Sequence, residues 1–393
     1  MANKKNYYGI SIGIDASRNR SGGAKAHLIG LLRSLNPAKF GIKEVHVWSY
    51  PELISALPDE PWLIKHSPPE LELGIFNQIW WQFNKLHIEA NNFGCNIILN
   101  TGAATFCRFK PSITMCRDML SFEPGEMERY PFFSKSRLRL LLIKHLQIYA
   151  LRNSTAVIFL THYAKNALQT FTGSTKNFRV IPHGISDNFR QEPAPGYWDG
   201  ARKKIKCVYI SNADLYKHQW HVTEAIALLR KNGHPITIDF IGGGSGLGLK
   251  KMNDAIARHD PNGNFARAIK ATPHEEIPKL LAKADIFIYA SSCENMPNTL
   301  IEGMASTLPI VSSNRGPMPE ILGAAGVFFD PENPKSIASA IECILKDPSY
   351  GKKLAQDAKE ISDRFSWDRC SQETFSYILE IFNSSRNINK HSK

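Results

Sequence analysis

The 393-residue chain lacks several features that would classify it at once. No apolar run approaches the roughly 18–20 residues of a membrane-spanning helix. The longest, around Leu140–Ile143, is interrupted by Arg139 and Lys144. The basic N-terminal segment MANKKNYYGISIGID has no long apolar stretch followed by a small-residue cleavage site, so it does not read as a signal peptide. Its seven cysteines are odd in number, widely spaced and without a C-x-x-C pair. That excludes a disulfide framework or a zinc ribbon and points to reduced thiols in a cytoplasmic protein. The 13 histidines show no H-E-x-x-H spacing and the chain has no D-x-D, so neither a metal nor a metal-held diphosphate is expected. Apart from the polar tail 383–393, there is no low-complexity tract and no short repeat.

Acidic residues are missing from one long stretch as well. Between Glu128 and Asp187 there are none, while Arg129, Lys135, Arg137, Arg139, Lys144, Arg152, Lys165, Lys176 and Arg179 fall inside. Residues 1–190 carry 23 basic and 13 acidic side chains, residues 191–393 carry 25 and 23, so the net charge of +12 belongs almost wholly to the first half. Such asymmetry fits a nucleic acid, a membrane surface or a phosphorylated substrate, and equally a domain kept soluble by its charge. Hydrophobic residues at 43% and charged residues at 21% exclude a disordered chain. At about 150 residues per domain, the length predicts two or three.

What is present is an alternation of short β-branched runs with longer helical patterns, the mark of α/β layers around parallel sheets. Residues 7–15 read as the opening strand, SRNRSGG (17–23) as a loop and 24–35 as an amphipathic helix. VHVWSY, CNIILN, SITMC, TAVIFL and NFRVIPHGI continue the series. The segment 190–204, with two prolines, two glycines and no periodicity, reads as a linker. A fresh series follows in IKCVYIS, a helix at 219–232, ITIDFIG, DIFIYAS and LPIVSS. The expected organisation is a domain over 1–190, a linker over 191–204 and a second domain over 205–375. A C-terminal helix and tail over 376–393 is expected to pack back on the first domain.

The richest segment is ASSCENMPNTLIEGMASTLPIVSSNRGPMPEIL (290–322). Glu294 and Glu302 stand eight residues apart, and Pro297 between them suits the first position of a helix. Glu294 then lies in a strand-to-helix loop and Glu302 inside the helix. The leading amides of Asn298, Thr299 and Leu300 would point at a phosphate oxygen. Carboxylates accept paired hydrogen bonds from diols, so carboxylate, anion site and carboxylate in that order match a diol–diphosphate–diol ligand, a nucleotide sugar. The spacing alone is equally consistent with a loop glutamate and a surface helix glutamate. The run GGGSGLG (242–248) matches neither G-x-G-x-x-G nor G-x-x-x-x-G-K-[ST] in any register, and reads as a ligand-side loop or an ordinary tight turn. Gly22 and Gly23, before a helix, allow backbone amides to approach a phosphate or an acceptor, or simply make a turn.

The run CENMPNTLIEGMA followed by SNRGPMPEIL closely resembles the E-x7-E segment of family 4 (group-1) retaining glycosyltransferases. VIFLTHYAKNAL (157–168), VIPHGI (180–185), VYISNADLYKH (208–218) and RFSWD (364–368) extend that resemblance over most of 150–370. It implies the GT-B fold: α/β, with two Rossmann-like domains facing a central cleft. It further implies that Glu294 contacts sugar hydroxyls, Glu302 the ribose diol, and Lys217 the donor diphosphate, whose growing charge a preplaced cation stabilises. Two departures stand out. Asn212 occupies a position where the family has arginine, so the second phosphate cation is either missing or supplied from elsewhere, by Arg315 or His218. Where the family reads His-Asp, this chain has Arg117–Asp118, and arginine cannot act as a base. Arg117 is then expected to bind an anionic group on the acceptor side, or Asp118 to orient the acceptor hydroxyl; the loop residue His183 is a second acceptor-side candidate, although a loop histidine is more often structural.

The function implied is a metal-independent, cofactor-free hexosyltransferase acting from a UDP- or GDP-sugar. The acceptor is a glycan or a polyprenyl-diphosphate-linked chain in O-antigen-like lipopolysaccharide biosynthesis. The basic first half would meet anionic lipid at the inner face of the cytoplasmic membrane. The helix pattern at 135–152 mixes Leu with Arg and Lys, and reads as a half-buried core helix more readily than as an inserted one. A nucleotide-sugar epimerase of the same fold is the rival reading, though no acid/base pair for it is identifiable. A nucleic-acid-binding role rests on charge alone and lacks any recognition motif.

Overall fold

The computed structural model describes residues 9–173, 177–190 and 204–391, with side chains as far as 387. It contains two compact units. Unit 1 comprises Met1–Phe122, Pro131–Gly184 and Ser366–Lys393; unit 2 comprises Glu123–Tyr130 and Ile185–Phe365. The chain therefore changes unit at 122/123, 130/131, 184/185 and 365/366, where the sequence pattern suggests breaks near 190 and 375. The expected linker 191–204 lies outside the described residues except for Lys204.

Unit 1 is built on β1 (Ile10–Asp15), β2 (Ile42–Trp48), β3 (Leu63–His66), β4 (Ile97–Asn100), β5 (Ser112–Met115), β6 (Ala156–Phe159) and β7 (Phe178–Val180). The sheet order is β3-β2-β1-β4-β5-β6-β7 and every pairing is parallel. Helices cover both faces of such a sheet, so its inner strands are buried on both sides and read as unbroken apolar runs. ISIGID in β1 and AVIF in β6 are buried throughout.

The helix Gly22–Arg33 starts at Ser21, whose side chain accepts from the Ala24 amide. The final helix, Trp367–His391, packs against it: Ser371 Oγ donates to the Leu31 carbonyl at 3.0 Å, and a Cβ at Gly30 would overlap the Trp367 ring. The helix Lys135–Asn153 starts at Ser134 and buries Leu140, Gln147, Ala150 and Leu151.

Unit 2 repeats the plan with β8 (Ile205–Ile210), β9 (Ile236–Ile241), β10 (Ala266–Ile269), β11 (Ile286–Tyr289), β12 (Ile310–Ser313) and β13 (Val327–Phe329). Its order is β10-β9-β8-β11-β12-β13, again all parallel. In both sheets the winding direction reverses beside the first strand, between β1 and β4 and between β8 and β11. Open α/β sheets place ligands beyond the carboxyl ends of the strands at that reversal, because the connecting segments leave in opposite directions and open a crevice.

Candidate active site

At the β8/β11 reversal of unit 2, the loop after β8 leads through a short 3-10 turn, Leu215–Lys217, into the helix Gln219–Lys231. The loop after β11 carries Glu294. These two loops bring Lys217 and Glu294 into a largely buried ion pair, with side chains 10% and 15% exposed. Tyr289, at the end of β11, donates its hydroxyl to Glu294 Oε1 at 2.6 Å and lies 3.4 Å from Lys217 Nζ. Tyr209 fixes the same turn by donating to the Lys217 carbonyl at 2.7 Å. Burial, with Glu294 nearby, pushes both tyrosine hydroxyls well above their usual range, so each is a fixed donor.

The helix that follows runs over Asn298–Ala305. Pro297 is its N-cap and not its first helical residue, and no side chain caps it. The Leu300 amide donates to the Pro297 carbonyl at 3.1 Å, so the expected trio of outward amides is headed by Asn298 and Thr299, with Leu300 turned into the helix. The buried Asn298 Oδ1 has no hydrogen-bond partner among the described residues.

Glu302, one turn further along, is buried, and its Oε1 meets His274 Nε2 at 2.8 Å. That hydrogen bond holds the His274 imidazole above its ordinary value of 6.5. A raised folded-state value means that this contact stabilises the protein below about pH 6.5 and is lost as pH rises through the raised value. Glu302→Gln is therefore expected to move the His274 titration, followed by imidazole NMR, down toward 6.5.

The glycine run resolves into a packing device. Gly242 and Gly244 have φ of 147° and 156°, and Ala213 bridges to Gly244. A Cβ at Gly248 would overlap the Ala213 carbonyl, so the helix Gly246–His259 can approach the loop Ser211–Asp214 only without side chains there. Asn212 belongs to this loop, and its carbonyl accepts from Gln219 Nε2 at 3.1 Å.

Both candidates for a second cation have partners within unit 2. Arg315 is paired with Asp330 at 3.1 Å and lies 3.9 Å from Glu332. His218 is fully buried and bonds Ser292 Oγ at 2.8 Å. Burial, and then the charge of Arg129, lower its pKa to about 2, which keeps it neutral. Ser292 also donates to the buried Glu126, which pairs with Arg129 at 2.8 Å; Arg129 in turn holds Glu332 at 2.7 Å. The first cation of the acid-free stretch is thus neutralised within unit 2.

In unit 1, the β1/β4 reversal gathers Arg117, Asn19 and the start of the helix Gly22–Arg33. Arg117 donates to Asn19 Oδ1 at 2.7 Å and reaches the Ala24 carbonyl at 3.4 Å. Burial lowers its pKa to about 10, so it stays a cation at neutral pH. Asp118 is exposed and accepts from the Leu120 amide at 3.0 Å. Gly22 faces open space at an ordinary φ, and with Gly23 it opens the helix. His183 takes the structural alternative of a loop histidine. It is 5% exposed, its ring packs 4.4 Å from that of His27, and burial lowers its pKa to about 3.

Tyr289, His274, Glu126 and Asn19 were not legible as site residues. His274, Glu126 and Asn19 reach their partners across 28, 166 and 98 positions, and Tyr289 meets Glu294 from the end of β11; no spacing rule connects these pairs. Among the described residues, no group of three or more His, Cys, Asp or Glu side chains is placed to hold a metal ion.

Two parallel sheets, each reversing beside its first strand, define the class: this is the GT-B fold. Sucrose-phosphate synthase from Thermosynechococcus elongatus superposes with a TM-score of 0.75 at 16% identity, over 95% of this chain and 100% of that one. Anabaena Alr3699/HepE in complex with UDP-glucose superposes at 0.70 and 17% identity, over 95% and 100%. Within that class, residues 199–361 match the family described as Glycosyl transferases group 1. O-antigen chain mannosyltransferase B of Escherichia coli is 31% identical over 110 residues, covering 28% of this chain and 29% of that protein. The uncharacterized glycosyltransferase MJ1178 of Methanocaldococcus jannaschii is 23% identical over 232 residues, covering 56% and 58%. The chain spans less than two thirds of the length of either relative.

Proposed function

We propose that the protein is a retaining glycosyltransferase. It would move a hexose from a UDP- or GDP-sugar to a glycan or polyprenyl-diphosphate-linked acceptor in surface polysaccharide assembly, on the cytoplasmic side of the membrane. The observation that carries this reading is the buried Lys217–Glu294–Tyr289 cluster at the strand reversal, beside a helix that opens at Asn298 and buries Glu302. Unit 2 takes the donor and unit 1 the acceptor. The Anabaena neighbour solved with UDP-glucose and the E. coli O-antigen mannosyltransferase support the donor and acceptor classes.

Lys217 neutralises the diphosphate, the amides of Asn298 and Thr299 bind its oxygens, Glu302 accepts from the ribose diol and Glu294 from the sugar hydroxyls. As the glycosidic C–O bond breaks, the electron pair leaves with the diphosphate, where Lys217 stabilises it. The acceptor hydroxyl adds to the same face of the oxocarbenium-like sugar and passes its proton to the departing diphosphate oxygen, so no protein base is required. Arg117 would hold an acceptor phosphate, or Asp118 orient the hydroxyl.

A nucleotide-sugar panel is expected to raise the thermal midpoint selectively, since a ligand bound only to the native state stabilises it. Acceptor-dependent release of nucleoside diphosphate, with the product anomer matching the donor by NMR, supports retaining transfer. An inverted anomer removes the retaining assignment. Donor isomerisation without an acceptor replaces transfer by epimerisation.

A further inference from the structure

Among the described residues no helix is long and apolar enough to cross a membrane, yet unit 1 exposes many large apolar side chains, the most exposed of them in two segments. The first is the segment 131–153. Phe132 and Phe133 precede the helix at 70% and 96% exposure, and their rings meet edge to face at 5.0 Å. Along the helix Lys135–Asn153, Leu138, Leu142 and Tyr149 recur at spacings of four and seven and are 60–65% exposed. Side chains at such spacings share one helical face. A stripe of this kind in a water-soluble helix normally faces the core, but here the core is served by Leu140, Gln147, Ala150 and Leu151 on the opposite side. The half-buried helix expected from the sequence therefore carries apolar residues on its outer face as well.

The second place is the helix Ile75–Asn84, where Phe76, Trp80 and Phe83 form another exposed stripe. The two stripes meet across one recess that Phe83 and Tyr149 both line, together with Arg108 and Lys110 and with no acidic residue. Cations accompany the aromatic rings: Arg137 lies 4.9 Å from the Phe132 ring, Lys85 5.3 Å from Trp80 and Arg108 4.8 Å from Phe83. Lys135, Arg137 and Arg139 crowd the first turns of the helix Lys135–Asn153, a stretch without a single carboxylate. Three other cations of the acid-free stretch have internal partners. Arg129 and Arg179 are ion-paired and Arg152 donates to the Thr172 and Phe171 carbonyls.

We propose that this face of unit 1 is an interfacial membrane anchor that rests on an anionic lipid bilayer. Its phenylalanines, leucines and Trp80 would sit at the acyl boundary and its arginines and lysines among lipid phosphates. Exposed aromatics with cations over their rings suit the bilayer interface, where an apolar body and a charged tip are both satisfied. A protein partner burying the same stripes would need acidic complements, whereas a lipid surface supplies both acyl chains and negative charge. In the recess Lys110 donates to the Asn153 carbonyl, and Arg108 would meet one phosphate headgroup. This deepens the reading of a lipid-carried acceptor and rests on it for its purpose, though not for its physical basis.

Flotation with phosphatidylcholine vesicles, and with vesicles of phosphatidylcholine and phosphatidylglycerol in equal parts, tests it. Wild-type protein is expected to float with the anionic vesicles, and less so at raised salt. Phe133→Ser with Leu138→Ser and Leu142→Ser is expected to cut the bound fraction about tenfold or more, and R137E with R139E to do the same. Unchanged thermal midpoints keep misfolding out of the result. Failure of the wild type to float, or flotation unaffected by both sets of changes, overturns the anchor. So does a dimer in sedimentation that the serine variant dissolves, since the face would then belong to a second copy. Stabilisation by a nucleotide sugar is read separately: protein that floats but responds to no nucleotide sugar keeps the anchor and loses the proposed activity.

Discussion

Lys217→Ala is expected to lower turnover about 100- to 1,000-fold, the scale of removing one preplaced charge-stabilising group from a transition state. The same change leaves Glu294 buried beside Tyr289 without its cation. Breaking a buried pair by deleting one partner costs about 3–5 kcal/mol, because the remaining charge is uncompensated. The single variant is therefore expected to be both slow and less stable. Lys217→Ala combined with Glu294→Ala separates the two effects. It removes the orphaned carboxylate and should recover much of the stability, as read by denaturant unfolding, while turnover stays low. Single and double variants with near-wild-type turnover would remove Lys217 and Glu294 from the chemistry. Recovery of turnover in the double variant would make the pair structural only.

Gly184→Ala is expected to have the largest effect on stability of any single methyl added to unit 1. A Cβ there would overlap the Trp367 backbone nitrogen and come within 2.6 Å of its Cα. Both neighbours are main chain, so no rotamer change relieves the clash, and overpacking of this kind costs about 1–3 kcal/mol or more. The strain falls where the final helix returns to unit 1 and where Trp367 packs against Gly30, His27 and His183. Thermal unfolding should show a lowered transition for the variant. Gly22→Ala, which faces open space at an ordinary φ, should leave it unmoved. An unchanged midpoint for Gly184→Ala would mean that the two segments separate readily.

Much of the fold is legible in the sequence because central parallel strands are buried on both faces and announce themselves as apolar runs. β1, β8 and β9 are of this kind. The strands that escaped the pattern, β3, β10 and β13, all lie at sheet edges. LIKH and ARAI mix exposed or half-buried polar residues with few apolar ones, since an edge strand has one neighbour and needs less cover. The two carboxylates were legible for a similar local reason: Glu294, Pro297 and Glu302 lie within one loop and one helix, where spacing constrains geometry.

The sequence by itself determined the class of the protein, through two α/β series and a nine-residue span from one glutamate to the other. It also located the positive charge in the first half. Tertiary structure decided what those residues meet. It joined Lys217 to Glu294 across 77 positions, Glu302 to His274 across 28 and Glu126 to Ser292 across 166. It enclosed His183, neutralised Arg129, and turned Leu138, Leu142 and Tyr149 outward. The physical reason is one of range. Helix caps, strand patterns and short spacings are set by neighbours along the chain, whereas ion pairing, burial and exposure depend on which loops the strand order brings to the same end of a sheet.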